Sequence, residues 1–236
     1  MSNNDSRESK EDPYDLPAAP AMAPAVAGAA PGGVVLVVSA PSGAGKSSLI
    51  RSLLEAVGGV RFSVSYTTRA PRGAEKDGID YHFVTRDEFI AMRGRGEFLE
   101  SAEVHGFLYG THIESVRNAF GAGEDIVLDV DIQGAEQIRR RMPEAVTAFV
   151  LPPSRQVLEA RLRARNLNSR AELEFRLNNA VSEVRKFDQF DYIIVNDDLA
   201  RASKVLEAII IAERHRKSRT AGLAHAIIDT FGKGAT

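Results

Sequence analysis

The chain has 236 residues, of which 44% are hydrophobic, so it can bury the core of one domain with small subdomains. A formal net charge of −2 gives no bulk attraction to nucleic acid or to an acidic membrane, and neither is expected as a partner. There is no cysteine, which excludes disulfides, thiolate metal sites and cysteine nucleophiles and fits a reducing compartment. No apolar run approaches the roughly 20 residues that a membrane-spanning helix needs.

The first 33 residues differ in composition from the rest of the chain. Residues 1–15 are polar and mostly acidic, and residues 17–33 are nearly all Ala, Pro and Gly. A secretory signal is disfavoured because acids mix with bases at the start and prolines interrupt the apolar part. Such a composition buries too little apolar surface to offset the entropy of ordering, so residues 1–33 are expected to be a disordered tail.

Order is expected from Val34, where short apolar runs begin to alternate with amphipathic helical patterns. The runs cover residues 34–38, 126–130, 146–151 and 192–195. The helical patterns cover residues 46–57, 133–141, 154–165, 169–187 and 199–216. Buried strands that alternate with helices predict an α/β fold with a parallel sheet flanked by helices.

The segment from about residue 61 to residue 111 breaks this alternation. It is rich in turns and carries short alternating strand patterns, with one short helix that begins at a capping box formed by Thr85 and Glu88. We therefore predict a small, mostly β subdomain inserted into the α/β core. After Lys217, the sequence AGLAHAIIDTF fits either a terminal helix or a loose extension.

The stretch SAPSGAGKSSL follows the first predicted strand and leads into the first predicted helix. It matches the phosphate-binding pattern G-x-x-x-x-G-K-[ST], except that Ala40 stands at the first glycine. Gly43 and Gly45 allow backbone N–H groups to turn toward a phosphate. Lys46 can reach the β- and γ-phosphates, and the Ser47 hydroxyl can coordinate Mg²⁺. We predict a nucleotide phosphate site here, with an ordinary negative φ at Ala40.

The loop alone does not separate an ATPase from a GTPase or a kinase, although the N-K-x-D motif of GTPases is absent. The next informative stretch is SVSYTTRAPRGAEKDGIDYHF, residues 63–83, in which Arg69 and Arg72 lie among hydroxyls. Arginine forks and hydroxyls are natural donors to a second phosphate group. With the loop, this stretch resembles the guanylate kinase family, whose pattern is approximately S-x-[ST]-T-R-x-P-R-x-G-E-x-[DN]-G-x-[DE]-Y-x-F. It departs from that pattern at Ala74, which replaces a glycine.

Four later blocks resemble the same family in the same order. They are GEFLESAEVHGFLYGT (96–111), VLDVDIQG (127–134), RLRAR (161–165) and IVNDD (194–198). The resemblance covers about residues 34–216 and implies a P-loop kinase core. The implied parts are the core at 34–60, 112–160 and 181–216, a GMP-binding subdomain at 61–111, a helical lid at 161–180 and a C-terminal extension at 217–236.

The resemblance also implies a site for each of two nucleotides. The ATP site would contain Ala40, Pro41, Ser42, Gly43, Ala44, Gly45, Lys46, Ser47, Ser48 and Asn196. The GMP site would contain Ser65, Arg69, Arg72, Tyr81, Glu100, Tyr109, Thr111, Asp129 and Asp131. Lys46, Arg161, Arg165 and Arg176 would be catalytic, and Mg²⁺ would be held by Ser47 and, through water, by Asp129.

Guanine presents two donors, N1–H and the N2 amino group, beside the acceptor O6. By the resemblance, Glu100 would accept from both donors, with the hydroxyls of Ser65 and Thr111 beside the base. Adenine lacks both donors and would leave the carboxylate unpaired, which can give discrimination on the order of 10⁴. The implied activity is Mg²⁺-dependent transfer of the γ-phosphoryl group of ATP to GMP, in cytoplasmic purine metabolism.

Two other functions stay open at this point. A guanylate-kinase-like interaction module would generally have lost the phosphate-loop lysine or the base-reading residues, which this chain keeps. A related P-loop kinase acting on a sugar phosphate would not need Glu100, Ser65 and Thr111 together.

The lid is the least defined part, because Asn166 replaces the usual glycine after Arg165. The chain would act as a monomer or a small homo-oligomer.

Overall fold

The computed structural model of the protein describes residues 32–104, 106–164 and 170–232. Within these ranges the strands are β1 Val35–Ser39, β2 Val60–Phe62, β3 Tyr66–Thr67, β4 His82–Phe83, β5 Phe98–Val104, β6 Phe107–His112, β7 Asp125–Asp129, β8 Val146–Leu151 and β9 Tyr192–Val195. The helices are α1 Lys46–Ala56, α2 Arg86–Gly94, α3 Ile113–Gly121, α4 Ile132–Arg141, α5 Arg155–Ala164, α6 Arg170–Val184, α7 Leu199–Arg214 and α8 Lys217–Gly232. The predicted tail up to residue 31 and Arg165 lie outside the described residues.

The main sheet has five parallel strands in the order β2-β7-β1-β8-β9. β1 lies in the middle, where Val37 pairs with Leu128 on one side and with Thr147 on the other. A central parallel strand is covered on both faces, which explains why the run VLVV is apolar without alternation. The predicted α/β fold with a parallel sheet is confirmed.

Helices cover both faces of this sheet. Leu36 and Val38 of β1 point to the face packed by α1 and α7, whose contributions include Leu53 and Leu206. The alternate residues of β1 pack instead in a second core cluster that includes residues of α3 and α4. The period of two along the strand therefore divides its side chains between two cores.

The second sheet has four strands in the order β4-β3-β6-β5, and β6 pairs antiparallel with both of its neighbours. Its core is formed by Phe89, Phe98 and Leu108, and the rings of Phe89 and Phe98 stack with centroids 4.4 Å apart. Helix α2 begins at the predicted capping box, in which Thr85 Oγ1 accepts from the Glu88 N–H at 3.2 Å. This is the inserted, mostly β subdomain that the sequence predicts.

The predicted start of that subdomain at residue 61 is wrong by two residues. Arg61 and Phe62 belong to β2, which pairs in parallel with β7 and forms an edge of the main sheet. The sequence could not place them, because a strand of three residues carries too little periodicity to reveal its partner. The insertion therefore begins after Phe62.

Helix α4 fixes the small sheet to the main one. The Gln137 side chain accepts from the Ser101 N–H at 3.1 Å and donates to the Ser101 carbonyl at 2.9 Å. Arg141 donates to the carbonyls of Phe98 and Leu99 at 3.1 and 3.2 Å. These bonds hold the backbone of β5 on both sides of Glu100, so the position of that residue relative to the core is set by α4.

Residues 217–232 form the helix α8, so the C-terminal extension is a helix over this range. Most of α8 is exposed, including Leu223 and Phe231. Near its start, Arg219 donates to the carbonyls of Gly32 and Gly33 at 3.1 and 2.8 Å. None of the described helices combines the length and apolar character needed to cross a membrane.

Candidate active site

The phosphate loop, residues 40–48, joins the carboxyl end of β1 to helix α1. Gly43 and Gly45 have φ values of 92° and 98°, in the left-handed region that favours glycine. A Cβ atom on Gly43 would also lie 2.8 Å from Leu162 Cδ2 of α5, so the leucine side chain would have to shift to admit it. The two glycines therefore adopt backbone conformations that residues with a side chain rarely adopt, as the sequence predicts.

Lys46, the first residue of α1, meets the end of the neighbouring strand β7. Its Nζ atom lies 2.6 Å from Asp129 Oδ1 and donates to the Val130 carbonyl, also at 2.6 Å. The Ser47 hydroxyl lies 3.5 Å from Asp129 Oδ2. The carboxyl ends of β1 and β7 thus bring a cation, a hydroxyl and a carboxylate together, at the edge where open α/β sheets bind ligands.

The back of the loop is held by Asn196, which follows β9, and by Arg161 of α5. The Asn196 side chain donates from Nδ2 to the Ala44 carbonyl at 2.7 Å and is 3% exposed. Arg161 donates to the same carbonyl at 3.3 Å and to the Asn196 carbonyl at 2.9 Å. On the other side of the loop, Arg176 donates to the Ser42 hydroxyl at 3.2 Å.

Glu100 provides a buried carboxylate at the opposite side of the cleft. It is 3% exposed and accepts a hydrogen bond from Thr111 Oγ1 at 2.7 Å. Its pKa is raised to about 7: burial is the main cause, the Thr111 hydrogen bond opposes it, and the charge of Asp131 adds to it. Ser65, also buried, lines the same cleft. Glu100 and Thr111 thus form a hydrogen-bonded polar pair within a packed sheet.

Arg69 is 6% exposed and does not belong to the lining of the cleft. Its guanidinium makes two hydrogen bonds of 2.9 Å to the Glu75 carboxylate and lies 5.3 Å from the centre of the Tyr81 ring. The hydrogen bond to Glu75 is the main cause that raises the pKa of Arg69. Arg72 is exposed at the cleft, and the rings of Tyr81 and Tyr109 meet edge to face at 5.9 Å.

A cleft of about 760 Å³ separates the phosphate loop from the small sheet. The predicted site residues that line it are Ala40, Pro41, Ser42, Gly43, Gly45, Lys46, Ser47, Ser65, Arg72, Tyr81, Glu100, Tyr109, Asp129, Asp131 and Arg176. The predicted residues outside its lining are Ala44, Ser48, Arg69, Thr111, Arg161 and Asn196. The fold therefore brings the two predicted sites to one cleft, although they are separated along the chain.

Residues of α6 that the sequence analysis missed also line this cleft, among them Asn179 and Glu183. The pKa of Glu183 is raised first by burial and then by the charge of Asp131, and the Ser42 N–H that it faces lowers it. Asn179 and Glu183 follow Arg176 by three and seven residues, which places the three on one face of the helix. The helical period would have identified them once Arg176 was assigned.

The oxygen donors beside Lys46 suit a magnesium ion that arrives with a nucleotide. Ser47 Oγ and the Asp129 carboxylate offer two protein oxygens at one place. Mg²⁺ commonly takes one or two protein oxygens and completes its shell with water and substrate phosphates. Among the described residues, no group of three or more His, Asp or Glu side chains gathers that could hold a metal by itself.

Comparisons with known proteins agree with this geometry. The family model for guanylate kinase matches residues 33–213. The guanylate kinase of Koribacter versatilis is 51% identical over 191 residues, which cover 80% of this chain and 82% of the relative. That of Vibrio cholerae is 47% identical over 201 residues, covering 84% and 97%. The crystal structure of guanylate kinase from Anaplasma phagocytophilum matches with a TM-score of 0.69 and 34% identity, over 80% of this chain and 90% of that one. The chain belongs to the guanylate kinase family.

Proposed function

We propose that this protein transfers the γ-phosphoryl group of ATP to GMP and releases ADP and GDP. The observation that carries the proposal is the buried Glu100 carboxylate, which lies across one cleft from the glycine loop and Lys46. Membership of the guanylate kinase family supports it. One end of the cleft is suited to the donor phosphates and the other to a base that offers two hydrogen-bond donors.

Selection of guanine follows from the chemistry of Glu100. An ionised carboxylate only accepts hydrogen bonds, and guanine offers it N1–H and the N2 amino group. Thr111 already donates to one of the carboxylate oxygens at 2.7 Å, which fixes the orientation of the carboxylate before the base arrives. Adenine would leave Glu100 buried with fewer partners, and an unpaired buried charge is costly. We therefore expect GMP to be the preferred acceptor.

The acceptor phosphate would be held by Arg69, Arg72, Tyr81 and Tyr109. Glu75 holds the Arg69 guanidinium through two parallel hydrogen bonds, so this cation is oriented before it meets a phosphate. Arg72 and the two tyrosines line the cleft itself. Arginine and hydroxyl donors match the oxygens of a phosphate that is bound but not transferred.

The acceptor oxygen of GMP is already anionic, so transfer needs no strong general base. The protein contributes alignment of the two nucleotides and neutralisation of the charge on the transferring group. Lys46 would move from Asp129 to the donor phosphates, and Arg161, Arg165 and Arg176 would add positive charge when the lid closes. Ser47, and Asp129 through water, would hold Mg²⁺, which when bound neutralises and orients the β- and γ-phosphates.

The same proposal includes the setting in which the protein works. ATP and GMP would be its partners, with no nucleic acid or membrane, in line with a net charge of only −2. We expect a monomer or a small homo-oligomer in the cytoplasm, where the absence of cysteine carries no disadvantage.

A coupled assay of ADP release tests the function. The full chain is incubated with Mg·ATP and, in separate reactions, with GMP, AMP, CMP or UMP. We expect turnover with GMP and far slower turnover with the other three. Absence of turnover with GMP would refute the proposed activity, and equal turnover with AMP would refute the role of Glu100.

A further inference from the structure

We propose that Asn196 is a positioning residue, which aims the Gly45 N–H at the donor phosphates and does not itself touch ATP. The proposal rests on the proposed function for the identity of the ligand. This role differs from the direct contact with ATP that the family resemblance implied for Asn196.

Asn196 is fixed at the end of the main sheet. Its own N–H donates to the Leu151 carbonyl at 2.8 Å, which extends the pairing of β9 with β8 by one residue. Its side chain is 3% exposed and is absent from the lining of the cleft. The residue therefore lies behind the phosphate loop, and its Nδ2 donates to the Ala44 carbonyl at 2.7 Å.

The geometry of the peptide bond turns this contact into control of the loop. The carbonyl of Ala44 and the N–H of Gly45 belong to one planar trans peptide, in which they point in opposite directions. A carbonyl held toward Asn196 therefore directs the Gly45 N–H away from it, toward the cleft that Gly45 lines. In the described part of the chain this N–H donates to no protein acceptor, so it is available to a phosphate.

The contact is too close to be incidental packing. A Cβ atom on Gly45 would lie 2.2 Å from Asn196 Nδ2, so the amide occupies the space of a side chain at that position. Arg161 stabilises the same contact, because it donates to the carbonyls of both Ala44 and Asn196. The loop peptide is thus held by two donors from separate elements.

The Oδ1 atom of the Asn196 side chain indicates that the donor Nδ2, and not the acceptor, holds the loop. Its Oδ1 atom is buried and accepts no hydrogen bond from the described residues. An amide buried with its acceptor unpaired is unfavourable, because that acceptor loses its hydrogen bonds to water. The feature that compensates is the donor, Nδ2, and its partner is the Ala44 carbonyl. A residue of this shape without a donor should therefore fail to hold the Ala44 carbonyl.

Calorimetric titration of the full chain with Mg·ATP, and separately with GMP, tests the proposal. We expect Asn196→Ala and, at pH 8, Asn196→Asp to weaken Mg·ATP binding by about tenfold or more. GMP binding should change by less than about twofold, because the acceptor end does not contact Asn196. The matched control is Thr147→Val, which removes a buried hydroxyl bonded to Asp191 at the other end of the β8–β9 pair. This control should leave both affinities unchanged.

The pH dependence separates a lost donor from a merely disturbed core. A protonated aspartic acid can donate to the Ala44 carbonyl, whereas its carboxylate cannot. The ratio of the Mg·ATP dissociation constants of Asn196→Asp and wild type should therefore shrink as the pH falls from 8 to 6. The same ratio for Asn196→Ala should stay constant.

Wild-type Mg·ATP affinity in both variants would overturn the proposal, and so would a ratio for Asn196→Asp that does not change with pH. If Asn196→Ala fails to bind GMP, it is misfolded, and Asn196→Ser, which keeps a hydroxyl donor, is used in its place. A loss of Mg·ATP affinity in Asn196→Ser larger than that in Asn196→Asp at pH 8 would then count against the proposal. Because the readout is ATP binding, a wild type that binds ATP without phosphorylating GMP would refute the proposed function alone.

Discussion

The two ends of the cleft, which we propose hold the donor and the acceptor nucleotide, are built in different ways. The donor end is a run of consecutive residues, 40–48, that relies on backbone groups, two glycines in the left-handed region and the start of one helix. The acceptor end is assembled from side chains that lie far apart in the chain, from Ser65 to Asp131, and its central group is a buried carboxylate. Backbone amides cannot distinguish one base from another, whereas a single oriented carboxylate can.

This difference predicts that substitutions at the two ends of the cleft will have different effects on activity. Changes at the donor end should slow transfer whatever the acceptor is, because they act on the transferring group. Changes at the acceptor end should alter which nucleotide is accepted, because they act on recognition.

Replacing Lys46 by alanine should lower kcat by about three orders of magnitude or more, because it removes the cation that would meet the transferring phosphates. The dissociation constant of GMP should stay within about twofold of wild type. Steady-state kinetics and calorimetry measure the two quantities. The control is Lys204→Ala, which breaks an exposed ion pair with Glu207 on α7. Turnover by Lys46→Ala comparable to wild type would contradict the assignment.

Replacing Glu100 by glutamine should lower kcat/KM for GMP by about a hundredfold or more, because the amide is uncharged and its NH2 group would face a guanine donor in place of one acceptor oxygen. The KM for ATP should hardly change, since the phosphate loop is untouched. Glu114→Gln, in an exposed pair with Arg117 on α3, serves as the control. A loss confined to ATP would show that the two ends of the cleft are not separable in this way.

The affinity for GMP should depend on pH through Glu100, whose pKa is about 7 in the nucleotide-free protein. Only the ionised carboxylate accepts from both guanine donors, so binding must release a proton below pH 7. The dissociation constant should therefore rise as the pH falls from 8 to 6, by at most about tenfold per pH unit. Glu100→Gln titrated with the same ligand removes this dependence and leaves that of GMP itself. Identical slopes in both proteins would argue against the raised pKa.

The smallest effect is expected for Ala40→Gly, which restores the glycine of the general pattern. Turnover should stay within about twofold, because Gly43, Gly45 and Lys46 carry the groups that face the phosphates. If φ at Ala40 is negative, as the sequence predicts, the added freedom of the unfolded chain should lower stability by about 0.4–1 kcal/mol. Urea unfolding measures this change, and a gain in stability would instead indicate a left-handed residue.

The parts of the fold that the sequence predicted best are those whose signal is contiguous. The apolar run of β1, the glycine loop and the amphipathic face of α1 follow one another, and each depends on local backbone preferences. Strand β2 was misassigned because three residues at a sheet edge carry no usable period. The acceptor residues were assigned through the family resemblance, since no local rule connects Ser65 with Glu100.

Two features of the cleft that the sequence did not reveal depend on the direction of a side chain. Asn196 follows β9 at the edge where ligands bind, yet its amide turns toward the back of the loop. Glu183 has no motif around it and reaches the cleft only because α6 presents the same face as Arg176. Both properties arise from packing between elements that are distant in sequence, which composition and spacing do not encode.

The pair of hydrogen bonds from Arg219 to Gly32 and Gly33 has a practical consequence for shortened versions of the protein. The carbonyls that accept them lie just before β1, the strand that leads to the phosphate loop. A chain that stops at residue 216 would keep the whole matched family region but lose Arg219 and both hydrogen bonds, whereas one that stops at residue 221 would keep the arginine. Two truncations only five residues apart should therefore differ in how firmly the central strand is anchored.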